Sequence, residues 1–259
     1  MEMTLEQYIL NPMGKNNAVL NAVAREAIRN DYVSKFNNIL VRERGRIEYH
    51  LYKDSKNNRY YAHFKIPSEV VEKFYYDTVL EFYTDSNVLE GGNNLFKYFV
   101  KFYSNDPSFV YTYAHVFNKN KLFIEALRPK MATKALKEAP KEKNESNQVG
   151  YVKSLYFAFL TMNNWSLNRL DKFVVESIEL DIPYLLSQIT DADTKIEARQ
   201  EAGAKATVNK KKKQPDTTNR IVSNRTDRNN NLGVKRTGSI SSTSKNTKSI
   251  NGVKSVKRK

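Results

Sequence analysis

Two histidines and a glutamate are the residues whose types and spacing come nearest to a metal site. His50 and His63 lie opposite each other in a predicted β-hairpin, and Glu48 lies one step away on the same strand face. Two imidazoles and a carboxylate are the minimum that holds a transition metal. The sequence offers no fourth ligand and no supporting carboxylate near His115, which favours a chance pairing on a solvated sheet face. We predict no metal and no cofactor.

Paired carboxylates suggest a second chemistry, general acid–base catalysis. Asp77 and Glu81 share one face of a predicted strand with Val79. Two acids on one strand face are typical of the solvent side of a half-buried sheet. No apolar pocket of the kind that tunes a catalytic acid is indicated around them. The pair therefore predicts an exposed sheet face.

Familiar catalytic motifs are absent from the chain. It has no Gly-x-x-x-x-Gly-Lys loop, no Gly-x-Gly-x-x-Gly, no His-Glu-x-x-His and no Gly-x-Ser-x-Gly. The absence of cysteine excludes disulfides, thiolate catalysis and Cys-based metal sites. Gly91-Gly92 precedes a predicted helix, but two glycines alone indicate a plain turn. The sequence predicts a protein that is not an enzyme.

Aromatic side chains interleaved with cations are typical of surfaces that bind single-stranded nucleic acid. The chain has 16 Tyr and 13 Phe, and in one stretch Tyr60, Tyr61 and Phe64 alternate with basic side chains. Most of the rings fall on predicted core faces, so core packing is the favoured interpretation. Base stacking on the sheet is the alternative.

Positive charge is concentrated in the C-terminal part of the chain. Residues 201–259 hold 16 Lys and Arg against three acids, a net charge of +13, whereas residues 1–200 hold 27 basic and 25 acidic side chains. Each cation placed on a phosphate releases a counterion, which drives binding that does not depend on sequence. We predict nucleic-acid contacts through this tail, at Lys210, Lys211, Lys212, Lys213, Arg220, Arg225, Arg228, Lys235, Arg236, Lys254, Lys257, Arg258 and Lys259.

The tail has no aromatic residue and few branched aliphatics, which predicts disorder and disfavours a membrane partner. No apolar run reaches the roughly 20 residues that span a bilayer, and the acidic start MEMTLEQYIL is unlike a signal peptide. The composition predicts a soluble protein kept inside a cell. A solubilising tail without a ligand is the alternative to nucleic-acid binding.

The sequence pattern predicts that the body is an α+β fold with a small antiparallel sheet. In the hairpin Arg46–Ile66, a register with Asp54 opposite Arg59 places one apolar set on a single face, and a slip by one residue would divide it. β-Branched and aromatic residues at Phe74–Thr84 predict a third strand. The side chains predicted to be buried in the hairpin are Ile47, Tyr49, Leu51, Ala62, Phe64 and Ile66.

Helices are predicted before and after this sheet and make the body mainly helical. Asp106-Pro107 supplies an N-cap and a first-position proline for one of them, although Phe109 and Tyr111 also alternate as in a strand. Apolar spacing predicts helices at Leu5–Leu10, 17–40, Leu95–Tyr103, 109–117, 150–160, Leu167–Glu176, Tyr184–Ile189 and Asp191–Gln200.

The same patterns divide the chain into four parts. Residues 1–128 are the α+β N-terminal part of the body, and residues 129–149 are a polar linker or exposed loop. Residues 150–200 are the helical C-terminal part of the body, and residues 201–259 are the disordered basic tail. A body of 200 residues buries roughly 70% of its unfolded surface, so it needs no disulfide or metal for stability.

Four segments of the body resemble proteins encoded by tailed bacteriophages of low-GC hosts, some of which are described as virion structural proteins. The segments are TLEQYILNPMGKNNAVL, KIPSEVVEKFYYDTVLEF, FVKFYSNDPSFVYTYAHVF and VGYVKSLYFAFL. The resemblance covers about residues 4–200 and assigns no functional residue. It implies a phage protein of the head or head–tail connection, in the virion or the host cytoplasm, with its tail on packaged DNA.

The leading hypothesis is thus a non-catalytic, virion-associated structural protein. Its tail contacts nucleic acid, and its body contacts other structural proteins or forms a homo-oligomer. The alternative is an intracellular nucleic-acid-binding regulator or replication accessory protein whose sheet also binds single strands. An enzyme with an unrecognised site is a third hypothesis.

Overall fold

Strands β1 (Glu48–Asp54) and β2 (Arg59–Pro67) form the hairpin from which the sheet is built. Their register places Asp54 opposite Arg59, so the register predicted from the apolar pattern is confirmed. In the turn, the Asp54 carboxylate accepts the backbone N–H of Asn57 at 3.1 Å. Aspartate side chains often close turns in this way, because they bond the backbone a few residues further along.

The structure is a computed structural model that describes residues 2–10, 22–84, 92–140, 144 and 149–213, with the backbone alone at residues 22 and 205–213. The chain divides into two units, residues 1–214 and 215–259, and every described residue belongs to the first. The first residues of the helix predicted at 17–40, up to residue 21, and the tail from residue 214 onward lie outside the described residues.

Three further strands complete a five-stranded sheet with the order β4–β3–β2–β1–β5. β3 (Tyr75–Tyr83) pairs antiparallel with β2, and β4 (Phe99–Ser104) pairs antiparallel with β3. β5 (Ile178–Glu179) pairs parallel with β1. The predicted third strand is confirmed, and the short β5 makes the whole sheet mixed.

Eight α-helices lie in the part of the chain that the structure describes, which confirms the α+β fold class. None of these helices is long and apolar enough to cross a membrane. They are α1 (Leu5–Leu10), α2 (Ala22–Arg42), α3 (Ala114–Lys119), α4 (Thr133–Lys137), α5 (Lys153–Asn164), α6 (Leu170–Glu176), α7 (Ile182–Gln188) and α8 (Ala192–Lys213).

Local sequence determines where the first two helices begin and end. Thr4 Oγ1 accepts the backbone N–H of Gln7 at 3.1 Å, and Gln7 Oε1 accepts that of Thr4 at 2.8 Å, a capping box at α1. After α2, Gly45 has φ of +73° and donates its N–H to the Leu40 carbonyl at 2.6 Å. Glycine adopts this left-handed conformation without strain, so the chain reverses there.

The predicted helix at Leu95–Tyr103 is wrong. A 3-10 turn at Leu95–Lys97 is followed by β4, in which Phe102 and Tyr103 point to opposite sheet faces and are both fully buried. Because both faces of the strand are covered, its sequence lacks the alternation of apolar and polar residues that marks a half-exposed strand. Its apolar residues therefore also fit helical spacing. The next prediction is confirmed, since a π-helical turn at Phe109–Tyr113 leads into α3.

One sheet face packs against the N-terminal helix, α3 and α5. The Phe102 ring contacts Tyr8 of α1 and Phe117 of α3, with centroids 4.8 and 5.3 Å apart. The Tyr8 hydroxyl donates to the Gly150 carbonyl at 3.0 Å, just before α5, which lies against β2, β3 and β4. The apolar set predicted for this face is buried, except that Tyr49 is half-buried.

The second sheet face is also covered, although the sequence predicted that it would face solvent. Tyr103 packs against Phe123, and Tyr52 packs against Tyr184 of α7, with ring centroids 6.1 and 6.4 Å apart. One cluster of buried residues therefore extends from both faces into the N- and C-terminal parts of the body. The stretch expected as a polar linker contains α4, whose Leu136 is buried.

Candidate nucleic-acid interface

Helix α8 contains the first four of the predicted nucleic-acid-binding lysines. It continues to Lys213, thirteen residues beyond the predicted boundary at residue 200, so the backbone of Lys210–Lys213 is helical and continuous with the body. The other predicted contacts lie outside the described residues. They are Arg220, Arg225, Arg228, Lys235, Arg236, Lys254, Lys257, Arg258 and Lys259.

The first two turns of α8 hold the helix to the body. Ala192 and Ile196 are buried and lie four residues apart, on one face of the helix. Beside them the Lys195 ammonium lies 4.9 Å from the centroid of the Phe74 ring. Burial lowers the pKa of Lys195, and the nearby Asp77 carboxylate acts in the opposite direction. The base of α8 is thus fixed by apolar and cation–π contacts.

A buried aspartate on β3 holds the loop that precedes α8. Asp77 is fully buried, and its two carboxylate oxygens accept four hydrogen bonds. Oδ1 accepts from His63 Nε2 at 2.9 Å and from Lys65 Nζ at 2.5 Å. Oδ2 accepts from Asn105 Nδ2 at 2.9 Å and from the backbone N–H of Thr190 at 3.2 Å. We call these five residues the Asp77 cluster.

Two members of the Asp77 cluster make further bonds, one to the last residue of α7 and one to the loop between α7 and α8. Lys65 Nζ donates to the Gln188 carbonyl at 2.8 Å, and Asn105 Nδ2 donates to the Thr190 carbonyl at 3.0 Å. Hydrogen bonds that involve charged groups contribute about 1.5–3 kcal/mol each, more than neutral ones. The cluster therefore joins the sheet to the chain before α8 through three partly buried hydrogen bonds, two of which involve a charged group.

The ionisation of the Asp77 cluster follows from its burial and its partners. Burial alone would raise the pKa of Asp77, but the hydrogen bonds from His63 and Lys65 and the charge of Lys65 hold that pKa well below its usual range. Burial lowers the pKa of His63, although the bond to Asp77 opposes this effect. At neutral pH, Asp77 is therefore ionised, His63 donates from a neutral ring, and Lys65 supplies the compensating charge.

The histidine pair lies across the hairpin as predicted, but its two members have different surroundings. The rings of His50 and His63 have centroids 5.9 Å apart. His50 is half-buried, and its Nε2 lies 3.2 Å from Glu48 Oε1, whereas His63 is fully buried and bonded to Asp77. The expected solvated face is therefore wrong for His63. Across the described ranges, no three His, Asp or Glu side chains are placed to hold a metal ion.

The two strand carboxylates are buried, which corrects the prediction that they face solvent. Glu81 is 2% exposed and forms an ion pair with the Arg59 guanidinium, which also lies 5.7 Å from the centroid of the Tyr83 ring. A buried charge is costly unless it is paired, so each acid has a cationic partner, Lys65 for Asp77 and Arg59 for Glu81. Both acids thus form ion pairs within the fold.

The three aromatic residues considered for base stacking do not form a surface platform. Tyr61 and Phe64 are buried. Tyr60 is half-buried and packs edge-on against Tyr98 and Phe173, with centroids 6.1 and 6.0 Å away. Core packing, the favoured interpretation, is confirmed for this stretch.

A cavity of about 380 Å³ contains the third histidine, His115, together with Lys134, Glu138 and Asp193. His115 Nδ1 lies 3.2 Å from the Leu136 carbonyl, which fixes the ring. Two carboxylates therefore line the same cavity as His115, which the sequence did not indicate. The volume is in the range of small-molecule sites, but a lining of one cation and two acids selects no single ligand chemistry.

Comparison of the chain with protein-family models, with curated proteins and with solved structures gives no match. The resemblance to phage proteins therefore stays a prediction. The functional proposal rests on the charge distribution and on the contacts described above.

Proposed function

We propose that this chain is a non-catalytic structural or virion-associated protein of the tailed-phage type whose basic C-terminal segment holds nucleic acid. The observation that carries the proposal is the division of charge, with +13 in residues 201–259 beside a nearly neutral body. Spaced cations with few compensating acids suit a polyanion of high charge density. α8 joins this segment to the body, so bound nucleic acid would be coupled to the packed core.

The surroundings of the body's buried ionisable groups support a structural role. A general acid or base must come within hydrogen-bond distance of its substrate. His63, Asp77 and Glu81 are at most 2% exposed and are bonded within the fold. We therefore assign the body to contacts with other structural proteins and the basic segment to the polyanion.

The decisive test is a comparison of the full chain with two truncated chains, one ending at Lys213 and one ending at Gln200. Binding of a fluorescent 25-base-pair duplex and a single strand of equal length would be followed by anisotropy across a salt series. Full-length protein should bind most tightly, the chain ending at Lys213 more weakly, and the chain ending at Gln200 least. Circular dichroism is the control that the body stays folded.

Two outcomes would contradict the proposal. If the full chain and the chain ending at Gln200 bind with equal affinity, the body and not the tail binds the nucleic acid. The absence of the protein from purified particles, as judged by mass spectrometry, would favour the alternative of a free nucleic-acid-binding regulator.

A further inference from the structure

A small polar cavity of about 50 Å³ lies where α8 meets the loop after β2 and the start of α5. Four charged side chains line it, Glu69, Asp106, Lys153 and Arg199. Ser154, which is 1% exposed, also lines it. The cavity thus collects polar groups from four segments that are distant in sequence.

Three polar atoms beside this cavity, Glu69 Oε1, Ser154 Oγ and Arg199 Nε, lack a hydrogen-bond partner among the described residues. Lys153 Nζ donates to Glu69 Oε2 at 2.7 Å, but Glu69 Oε1 is buried and accepts no bond from a described residue. Arg199 Nε is likewise buried and donates to no acceptor in the described part of the chain. A buried unsatisfied polar group is unfavourable, and nearly all such groups in folded proteins have a protein or water partner.

The size and charge of the cavity restrict what could supply the missing bonds. One water requires about 10–15 Å³ of such space and two to four polar partners, so the cavity has room for water. The formal charges of the two acids and two bases cancel, so an added ion would bring an uncompensated charge into a site that is largely shielded from solvent. Water both donates and accepts, which matches the open acceptor of Glu69, the open donor of Arg199 and the Ser154 hydroxyl, which can do either.

We propose that this cavity is an internal water site in which bound water accepts from Arg199 Nε and donates to Glu69 Oε1. Arg199 lies seven residues after Ala192 and three after Ile196, on the face of α8 that packs on the body. The water therefore belongs to the contact that fixes the base of α8. This inference does not depend on nucleic-acid binding.

The proposal is tested on the full chain in solution by the nuclear Overhauser effect between long-lived water and the backbone N–H groups of Glu69 and Ser154. Cross-peaks from water that exchanges slowly with the solvent are expected at both amides. A crystal structure should show water within hydrogen-bond distance of both Glu69 Oε1 and Arg199 Nε. A dry cavity, or Glu69 and Arg199 bonded directly to each other, would overturn the proposal.

A pair of variants measures what the site does for α8. Arg199→Met keeps the aliphatic stem but removes the donor, whereas Gln200→Met alters the exposed neighbour on the same helix. Amide hydrogen exchange at residues 195–199 should be roughly tenfold faster in Arg199→Met and unchanged in Gln200→Met. Equal exchange rates in the two variants would show that the site does not stabilise α8. Whether water occupies the cavity is decided separately by the measurement on the wild-type protein.

Discussion

The Asp77 carboxylate accepts the backbone N–H of Thr190 at 3.2 Å, although the two residues are 113 positions apart in the chain. This bond places the loop before α8 directly on the central part of the sheet. Because Asn105 bonds the same loop and Lys65 bonds the end of α7 just before it, the position of α8 and the stability of the Asp77 cluster are linked.

The first prediction concerns the charge of Asp77. Asp77→Asn keeps the size of the side chain but leaves Lys65 without its carboxylate, so the free energy of unfolding should fall by about 2–4 kcal/mol. Urea unfolding at pH 7 measures the change. Asp31→Asn is the matched control, since Asp31 is an exposed partner of Lys35 on α2 and should contribute less than about 0.5 kcal/mol. Equal losses in the two variants would contradict a special role for Asp77.

The second prediction is that acid destabilises the protein in two stages. An unfolded histidine has a pKa of about 6.5, and burial lowers the pKa of His63 in the folded protein. Below that pH the unfolded chain binds a proton that the folded chain does not, so stability falls as the pH decreases from about 6.5. Asp77 behaves similarly from about pH 4 downward, because its folded pKa is also lowered.

Urea unfolding at several pH values between 3 and 8 would reveal both stages. Between pH 7 and 5, His63→Gln should make the free energy of unfolding vary less with pH. His50→Gln should preserve most of this pH dependence, because the bond from His63 to Asp77 is retained. Stability that is constant or rises as the pH falls from 7 to 5 would show that His63 is protonated in the folded protein.

The third prediction concerns the helical lysines. Replacing Lys210 and Lys211 by glutamine should weaken duplex binding and lower the magnitude of the salt slope by about 0.7–0.9 for each phosphate that is no longer neutralised. Lys56→Gln with Lys137→Gln removes two exposed charges from the body and is the matched control. If both double variants weaken binding equally, overall charge rather than the basic segment governs the affinity.

The fourth prediction is that the body associates with itself or with another structural protein at salt that abolishes tail binding. Val175, Ile178 and Tyr184 are 84%, 56% and 45% exposed beside the short β5 edge. Apolar contacts resist salt, whereas phosphate contacts weaken steeply. Sedimentation at about 0.5 M salt should show complexes, and Ile178→Lys should disrupt them. Val41→Lys, which places the same charge at an exposed apolar residue on α2, is the control and should leave the complexes intact. A monomer that binds no particle component would contradict this use of the body.

The hairpin shows which part of the fold can be predicted from sequence. Its apolar residues alternate, and a shift by one position would divide them between two faces, so the pairing of Asp54 with Arg59 follows from the sequence alone. The ends of α1 and α2 are similarly encoded by Thr4, Gln7 and Gly45, whose roles are local.

The errors have a common physical cause, which is the covering of both sheet faces. The sequence of β3 indicates exposed acids, because nothing near Asp77 or Glu81 in the chain shows that Lys65 and Arg59 will neutralise them. Thr190 contributes to the Asp77 cluster through its backbone N–H, so its side-chain type could not indicate this contact in the sequence. The helix predicted at Leu95–Tyr103 failed for the same reason, since a strand buried on both sides loses its alternation.

The length of α8 has a geometric consequence for any polyanion that the chain binds. An α-helix rises 1.5 Å per residue, so Lys213 lies about 20 Å along the helix axis from Gln200. The first run of lysines, Lys210–Lys213, therefore begins about 15 Å along the helix axis from Gln200. A nucleic acid held at these lysines would bind a stretch of helix whose charge differs sharply from the nearly neutral residues 1–200.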